Sequence, residues 1–218
     1  MTKRMREHHA GRKERTMKKG LLVVVSGPAG SGKGTVNGML LESDEYVYSV
    51  SATTRAPRPG EVDGVNYHYI TREEFERRIA AGEMLEYTEY CGNYYGTPLK
   101  EALEVLESGK NLLLEIEVEG ALNVKKLYPE AVLIMLLPPS FTIQEERLRG
   151  RATETEEKIL ERLERTKAEL LTLPSYDYVV YNHDGGADRC ADHIRAIVLA
   201  EKAAVSRHPA AAVQYFEG

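Results

Sequence analysis

The chain has 218 residues, enough for one or at most two domains with a substantial core. Its 42% hydrophobic and 29% charged residues are ordinary for a globular protein, and no apolar run reaches the length of a membrane span. These features argue against a membrane protein, and we expect a cytoplasmic location because no signal-peptide-like segment precedes the first predicted strand. Cys91 and Cys190 lack C-x-x-C spacing and histidine neighbours, so we predict two free thiols.

The net charge of −5 is unevenly distributed along the chain. Residues 1–19 hold eight basic and two acidic side chains, which leaves about −11 on the remainder. Without apolar periodicity this segment is expected to be disordered. Its charge alone would suit a nucleic-acid-binding arm. Because Met17 stands just before the first predicted strand, we favour an extension that the fold does not need, and nucleic acid is not an expected partner.

The stretch from Leu21 to Thr35 combines a buried strand with a glycine-rich loop. Leu21–Val25 is apolar and β-branched, as in a parallel sheet. The loop that follows matches G-x-x-x-x-G-K and ends at Lys33. Glycines let successive N–H groups point at an anion, so the pattern predicts a phosphate-binding loop. Gly34 stands where the pattern has a residue whose hydroxyl faces magnesium, and we assign the magnesium-side hydroxyl to Thr35 instead.

A second strand is predicted at Tyr46–Val50, and it leads into a loop rich in proline and arginine. This loop holds Arg55, Arg58 and Glu61 among residues that favour turns. Stiff presentation of two guanidinium groups suits phosphate binding. A solvated charged loop is an equally good interpretation of these residues by themselves.

The next stretch predicts a helix, a hairpin and a second helix. Thr71 and Glu74 form a capping box for a helix that ends at Gly82. The tyrosine-rich segment 84–97 predicts a hairpin with a Gly92-Asn93 turn. Its tyrosines would either pack or reach a ligand phosphate. Pro98 is predicted at the first position of a helix that closes at Gly109.

The strand predicted at Asn111–Val118 contains Glu115 and Glu117, which would share one of its faces. At the carboxyl end of such a strand, carboxylates can face a ligand or a magnesium-bound water, although solvated side chains are the alternative. Val132–Leu137 predicts a fourth strand, followed by a helix from Ser140.

The segment after this helix is predicted to be a mobile, charged lid between two helices. Thr153 and Glu156 form another capping box there. Four arginines surround the segment, and i,i+4 ion pairs on a solvated helix surface would account for some of them; they are Arg147, Arg149, Arg151 and Arg162.

A fifth strand is predicted at Tyr178–Tyr181, just before Asn182, and residues 188–205 are predicted to form an amphipathic helix. The alternation of strands and helices predicts an α/β fold with a five-stranded parallel sheet covered on both faces.

Several stretches together resemble the guanylate kinase family, over nearly all of residues 20–207. They are SGPAGSGKGT, SATTRAPRPGE, GNYYGT, the RLRGR and TETEE lid segment, and YDYVVYN. The resemblance implies a P-loop kinase that transfers the γ-phosphoryl group of ATP to GMP, and use of dGMP is also expected, giving ADP and the nucleoside diphosphate. It also implies an inserted mixed α/β GMP-binding region and a helical lid. It divides the chain into a basic extension (1–19), a core (20–50, 98–146 and 163–207), a GMP-binding region (51–97), a lid (147–162) and a C-terminal tail (208–218).

The resemblance also implies roles for individual residues. ATP would be bound by Gly27, Pro28, Ala29, Gly30, Ser31, Gly32, Lys33, Gly34, Thr35 and Asn182, the last near the adenine. The GMP phosphate would be held by Arg55, Arg58, Tyr67 and Tyr95, with Glu61 supporting their loop; Ser51, Glu86, Thr97 and Glu117 would surround the guanosine. The catalytic groups around the transferring phosphoryl would be Lys33, Arg147, Arg151 and Arg162. Mg²⁺ would accompany ATP at Thr35 and, through water, at Glu115.

Three positions depart from the usual pattern of the family. Glu115 and Glu117 stand where aspartate is common, and Ala152 replaces a glycine in the lid. Guanine offers two adjacent donors to one carboxylate, so Glu86 is predicted to discriminate GMP from AMP.

Two other functions stay open: a P-loop kinase for AMP, UMP or a phosphorylated sugar, and a non-catalytic module that binds phosphorylated peptides. The GMP-site residues argue against the first. The complete loop and the lid arginines argue against the second. The sequence leaves the oligomeric state open.

Overall fold

A computed structural model describes residues 19–90, 92–150 and 155–217. The strands are β1 Leu22–Ser26, β2 Tyr46–Tyr48, β3 Ala52–Thr53, β4 His68–Tyr69, β5 Met84–Tyr90, β6 Asn93–Pro98, β7 Asn111–Glu115, β8 Val132–Leu137 and β9 Tyr178–Tyr181. The helices are α1 Lys33–Leu40, α2 Arg72–Ala80, α3 Leu99–Glu107, α4 Val118–Leu127, α5 Phe141–Gly150, α6 Glu156–Leu170, α7 Ala187–Ala203 and α8 Ala211–Glu217.

A five-stranded sheet in the order β2-β7-β1-β8-β9 forms the centre of the molecule, and all its pairings are parallel. The predicted fold class is therefore confirmed. β1 lies in the middle, and its alternating side chains serve two cores. Val23 and Val25 pack with α1 and α7 on one face, whereas Leu22 and Val24 pack with α3 and α4 on the other. Burial on both faces explains why this strand is uninterruptedly apolar.

A smaller sheet in the order β4-β3-β6-β5 carries the region between β2 and α3. The predicted hairpin is confirmed as antiparallel pairing of β5 with β6. The predicted turn was displaced by one residue, because Asn93 already pairs with Tyr90 and Gly92 takes the left-handed conformation before it. Phe75 of α2 stacks on Tyr94 at 5.1 Å between ring centroids and anchors the helix on this sheet. The Thr71 cap is also confirmed, since its hydroxyl accepts from the Glu74 backbone N–H.

Two element boundaries differ from the sequence prediction. Pro98 is the N-cap of α3 and the last residue of β6, so it precedes the first helical position that we predicted for it. The strand predicted to reach Val118 ends at Glu115, and Glu117 caps the unpredicted helix α4. Glu115 and Glu117 therefore do not share the face of one strand. The apolar spacing of Val118, Ala121 and Val124 is helical and could have revealed α4.

Helices α5 and α6 pack beside the glycine-rich loop through Leu148, Ile159 and Leu163, which contact Ala29. The N-cap of α6 is Thr155. The capping box predicted from Thr153 falls outside the described residues, as do Arg151, Ala152 and the basic segment 1–18.

Arg149 joins the two helices by pairing with Glu145 at 2.9 Å and Glu156 at 2.7 Å, as expected of an exposed ion-pair residue.

Cys190 is a buried free thiol, and Cys91 lies outside the described residues. Across the described chain, no helix is both long and apolar enough to cross a membrane.

Candidate active site

The glycine-rich loop joins the end of β1 to the start of α1, at the carboxyl edge of the main sheet. Gly32 is the N-cap of α1 and has a φ of +87°, a conformation that suits glycine. A Cβ on Gly32 would also lie 2.3 Å from Nδ2 of Asn182. Both facts require glycine at this position. The positive end of the α1 dipole points to the loop, which favours an anion there.

Side chains from α5 and the end of β9 hold three consecutive carbonyl groups of the loop. Nε2 of Gln144 donates to the Ala29 carbonyl at 2.9 Å, and Nδ2 of Asn182 donates to the Ser31 carbonyl at 2.8 Å. The Arg147 guanidinium donates to the carbonyl between them, that of Gly30, at 3.3 Å. Because these carbonyls are fixed from behind, the loop N–H groups keep a defined direction. Preorganised donors of this kind stabilise developing charge without reorganisation.

The Lys33 side chain lies along the loop and donates to the Gly27 carbonyl at 2.5 Å and to the Pro28 carbonyl at 3.3 Å. Burial raises the pKa of the Glu169 carboxyl, and the Lys33 ammonium group partly offsets this rise. The lysine is thus held at the mouth of the phosphate-binding loop, where one positive charge can reach a bound phosphoryl group.

In the smaller sheet, Glu61 organises the arginine-rich loop. Its carboxylate accepts from the Arg55 guanidinium at 2.9 Å, the Arg58 backbone N–H at 2.7 Å and the Tyr69 hydroxyl at 2.8 Å. Chiefly because of the bond from Arg55, the pKa of Glu61 is lowered to about 2. Glu61 therefore stays ionised at neutral pH and fixes the loop that carries both arginines.

Tyrosine rings surround the Arg55 guanidinium. It lies 5.5 Å from the ring centroid of Tyr67 and 5.9 Å from that of Tyr69, distances typical of cation–π contacts. Tyr95 meets Tyr67 edge to face at 6.0 Å. Burial raises the pKa of the Tyr67 hydroxyl, so this group stays a neutral donor. The cluster offers hydroxyl and guanidinium donors to one small anion.

Glu86 is the buried carboxylate of the smaller sheet, with 3% exposure. Its Oε1 accepts from the Thr97 hydroxyl on the paired strand at 2.8 Å. Burial raises the pKa of Glu86 to about 7. A carboxylate in this position needs further donors to be stable in its ionised form, and a ligand with two adjacent N–H groups would supply them.

One cleft of about 940 Å³ connects the glycine-rich loop with the smaller sheet. Fifteen of the residues predicted from the sequence line it, namely Pro28, Ala29, Gly30, Ser31, Gly32, Lys33, Gly34, Thr35, Ser51, Tyr67, Glu86, Tyr95, Glu115, Glu117 and Arg162. The structure thus brings most of the predicted donor and acceptor residues into one space.

The other described residues of the predicted set are not part of this lining: Gly27, Arg55, Arg58, Glu61, Thr97, Arg147 and Asn182. Arg147 contacts the Asn182 carbonyl at 2.8 Å and Asp184 at 2.7 Å, so it supports the loop from behind in this arrangement. Asn182 is 6% exposed and likewise supports the loop.

The sequence interpretation missed several residues that line the cleft. Among them are Lys158, Arg165 and Glu169, which follow the spacing i, i+7 and i+11 and share with Arg162 one face of α6. This periodicity was available in the sequence. Tyr48, Thr88 and Gly120 also line the cleft, and nothing local in the sequence marks them.

The residues at the sheet edge fit a magnesium ion that is carried by a nucleotide. Thr35 and Glu115 both line the cleft, as does Gly34, where an added Cβ would meet no atom within 4 Å. Hydroxyl and carboxylate oxygens are suitable partners, because protein-bound Mg²⁺ usually keeps several waters and is held mainly by substrate phosphates.

Comparison with known proteins agrees with this geometry. The family model described as guanylate kinase matches residues 19–200. The chain belongs to the guanylate kinase family. The family's enzyme class, ATP:GMP phosphotransferase, is the one predicted from the sequence.

Three relatives illustrate the similarity. A guanylate kinase from Halalkalibacterium halodurans is 54% identical over 184 residues, which cover 84% of this chain and 89% of the relative. One from Clostridioides difficile is 46% identical over 92% of this chain and 98% of its own. The crystal structure of a guanylate kinase from Anaplasma phagocytophilum is 35% identical, with a TM-score of 0.69 over 87% of this chain and 90% of its own.

Proposed function

We propose that this protein transfers the γ-phosphoryl group of ATP to GMP or dGMP and releases ADP with GDP or dGDP. The observation that carries the proposal is the single cleft that joins the glycine-rich loop to the pocket of Tyr67, Glu86 and Tyr95. A phosphoryl donor and a nucleotide acceptor must lie in one space for direct transfer. The cytoplasmic location stays a prediction.

The donor half would bind the ATP phosphates through the loop N–H groups and Lys33. Mg²⁺, associated with Thr35 and the Glu115 carboxylate, would neutralise charge on the transferring phosphates. Arg162 lines the same cleft and would add a guanidinium at the developing charge. Arg151 is proposed for the same role by resemblance and lies outside the described residues.

The acceptor half would bind GMP at two points. The phosphate would meet the hydroxyl groups of Tyr67 and Tyr95 and the guanidinium of Arg55, which lies over the Tyr67 ring. The guanine ring N–H and amino group would donate to Glu86, which also accepts from Thr97. These two donors would stabilise the ionised carboxylate, whereas adenine presents an acceptor at the ring position.

A strong general base is not needed for this reaction, because a phosphate monoester is mostly dianionic near neutral pH and its oxygen is already nucleophilic. The protein's residues then act by placing the two phosphates in line and neutralising their charge. Closure of the predicted lid, residues 147–162, over the cleft would exclude water, which otherwise competes as acceptor.

A coupled assay of ADP formation tests the proposal with ATP as donor and GMP, dGMP, AMP or UMP as acceptor. We expect GMP and dGMP to be used and kcat/KM for AMP to be lower by about 10⁴-fold, since Glu86 would face an unmatched base edge. Absence of GMP-dependent ADP formation would overturn the function. Equal kcat/KM for GMP and AMP would remove Glu86 as the discriminating residue.

A further inference from the structure

Asn37 is a buried polar residue between the glycine-rich loop and the main sheet. It lies on α1, one turn after Lys33 and two residues after Thr35, and it is 2% exposed. Its Nδ2 donates to Oε2 of Glu115 at 2.8 Å. Glu115 is the last residue of β7 and lines the cleft beside the loop. Asn37 therefore reaches the cleft only through another side chain.

The orientation of the Asn37 amide is determined by its partner. An ionised carboxylate only accepts hydrogen bonds, so the NH₂ group must face Glu115. The amide oxygen, Oδ1, then points into buried space and has no hydrogen-bond partner among the residues that the structure describes. An apolar side chain of similar volume, such as leucine, would avoid this unsatisfied oxygen. Among the described residues, the bond to Glu115 is thus the side-chain contact that compensates for the burial of Asn37.

We propose that Asn37 is a positioning residue for the divalent cation that enters with ATP, acting by fixing the Glu115 carboxylate at the sheet edge. The inference rests on the proposed use of ATP. The buried amide holds one carboxylate oxygen, so Glu115 presents its charge to the cleft in a fixed direction. Hydrogen-bond partners that orient a metal-associated carboxylate commonly contribute 10- to 100-fold to metal affinity.

Asn111 offers a matched control at the opposite end of the same strand. It is 0% exposed and also has one unsatisfied amide atom within the described chain, Nδ2. Its Oδ1 accepts from the Leu21 backbone N–H at 3.2 Å, and it is not part of the cleft lining. Replacing Asn111 therefore removes a buried amide from β7 without touching Glu115.

The test measures Mn²⁺ affinity by the electron paramagnetic resonance signal of free Mn²⁺, with the full chain saturated by adenylyl imidodiphosphate. We expect Asn37→Leu and Glu115→Gln each to raise the Mn²⁺ Kd by about tenfold. The double variant should be no weaker than Glu115→Gln alone, because Asn37 acts through that carboxylate. Asn111→Leu should leave the Kd unchanged.

A merely structural role for Asn37 predicts a different pattern. Asn37→Leu would then lower the melting temperature and leave the Mn²⁺ Kd within twofold of the original value. An Mn²⁺ Kd this close to the original would overturn the proposal. Additive effects of the two substitutions in the double variant would also overturn it. An equal Kd change in Asn111→Leu would overturn it too, because the cause would be general loosening of β7. Asn37→Ser serves as a second variant, because serine is too short to reach Glu115. We expect it to raise the Mn²⁺ Kd as much as Asn37→Leu does.

The assay involves no GMP. A chain that fails to phosphorylate GMP but gives the expected Mn²⁺ pattern would refute the proposed function and keep this inference. Normal GMP turnover with an unchanged Mn²⁺ Kd in Asn37→Leu would support the proposed function and refute this inference.

Discussion

The two ends of the cleft are held in place by different kinds of contact. At the donor end, Gln144, Asn182 and Arg147 hold the backbone carbonyls of the glycine-rich loop from behind. At the acceptor end, side chains are held by other side chains: the ionised Glu61 accepts from Arg55, and Thr97 donates to the buried Glu86. A backbone cradle recognises phosphate in any nucleotide, whereas side-chain placement can distinguish one base from another. Substitutions at the donor end should therefore affect turnover, and those at the acceptor end should affect substrate choice.

The largest effect is expected for Lys33→Met. Removing the ammonium at the mouth of the loop should lower kcat by about 10³-fold, since it deletes a preorganised charge at the transferring group. GMP affinity measured by calorimetry should stay within about twofold, because Lys33 lies at the donor end. Lys100→Met is the control, since Lys100 is exposed on α3 and lies 3.9 Å from Glu104. Loss of GMP binding in Lys33→Met would contradict the separation of the two ends.

Glu86→Gln should have the next largest effect, confined to the acceptor. The amide can accept one guanine hydrogen bond but opposes the second donor, so kcat/KM for GMP should fall by about 10²-fold, with ATP affinity unchanged. Glu89→Gln on the same strand, where Glu89 is exposed and pairs with Arg72 at 3.1 Å, should behave like the original chain. A similar loss in Glu89→Gln would point to damage of the hairpin as the cause.

Gly32→Ala tests the backbone cradle. The new Cβ would lie 2.3 Å from Asn182 Nδ2 at a φ of +87°, so the loop must shift. We expect ATP affinity to fall about tenfold and GMP affinity to change little, and calorimetry with each nucleotide would measure both. Gly38→Ala in α1 is the control, because its Cβ would meet no atom within 4 Å. Unchanged ATP affinity in Gly32→Ala would show that ATP binding does not depend on this geometry of the loop.

A smaller effect is expected for Glu61→Gln. The neutral amide would weaken the bonds from Arg55 and Arg58, which Glu61 now holds in place. The KM for GMP should rise about fivefold while the KM for ATP stays constant, as steady-state kinetics would show. Glu76→Gln removes an exposed ion pair with Arg72 and should leave both KM values unchanged. A parallel rise in the KM for ATP would mean that Glu61 supports both ends.

The smallest effect concerns pH. Because the pKa of Glu86 is about 7, its ionised fraction falls as pH decreases from 8 to 6.5, and GMP affinity should fall about fourfold relative to Glu86→Gln over that range. The variant corrects for titration of the GMP phosphate, which both proteins share. A constant affinity ratio would contradict the assigned protonation.

Ionisation of Glu86 should also change the stability of the fold. A rise in pH lowers this stability, whereas it raises GMP affinity. The folded state binds more protons than the unfolded state between the ordinary carboxyl pKa of 4.5 and about 7. The free energy of unfolding should therefore decrease as pH rises through this window. Denaturant titrations of Glu86→Gln should lack this decrease in the free energy of unfolding. An identical pH dependence in both proteins would refute the contribution of Glu86 to it.

Local rules predicted much of this structure. A strand, a left-handed turn and a helix start each leave a short pattern, which is why the loop after β1 and the Thr71 cap could be predicted. The end of β7 was missed because Ile116 and Val118 continue the strand alternation, whereas the helical spacing starts only at Val118. Tertiary context decides such boundaries.

The contacts that hold the site together could not be predicted from local patterns. Asn182 and Ser31 are 151 positions apart, and no periodicity connects a residue after β9 with a loop after β1. The bond between Asn37 and Glu115 spans 78 positions for the same reason. The residue roles came from the family resemblance, while the structure adds which groups line the cleft and which support them.

The central claim is that the donor and acceptor ends form one continuous site. Calorimetry with a bisubstrate ligand, adenosine and guanosine joined by five phosphates, tests it most directly. We predict one ligand per chain, bound at least about 100-fold more tightly than ATP or GMP alone, because the second contact becomes intramolecular. An affinity no higher than that of the tighter single nucleotide would contradict a continuous site.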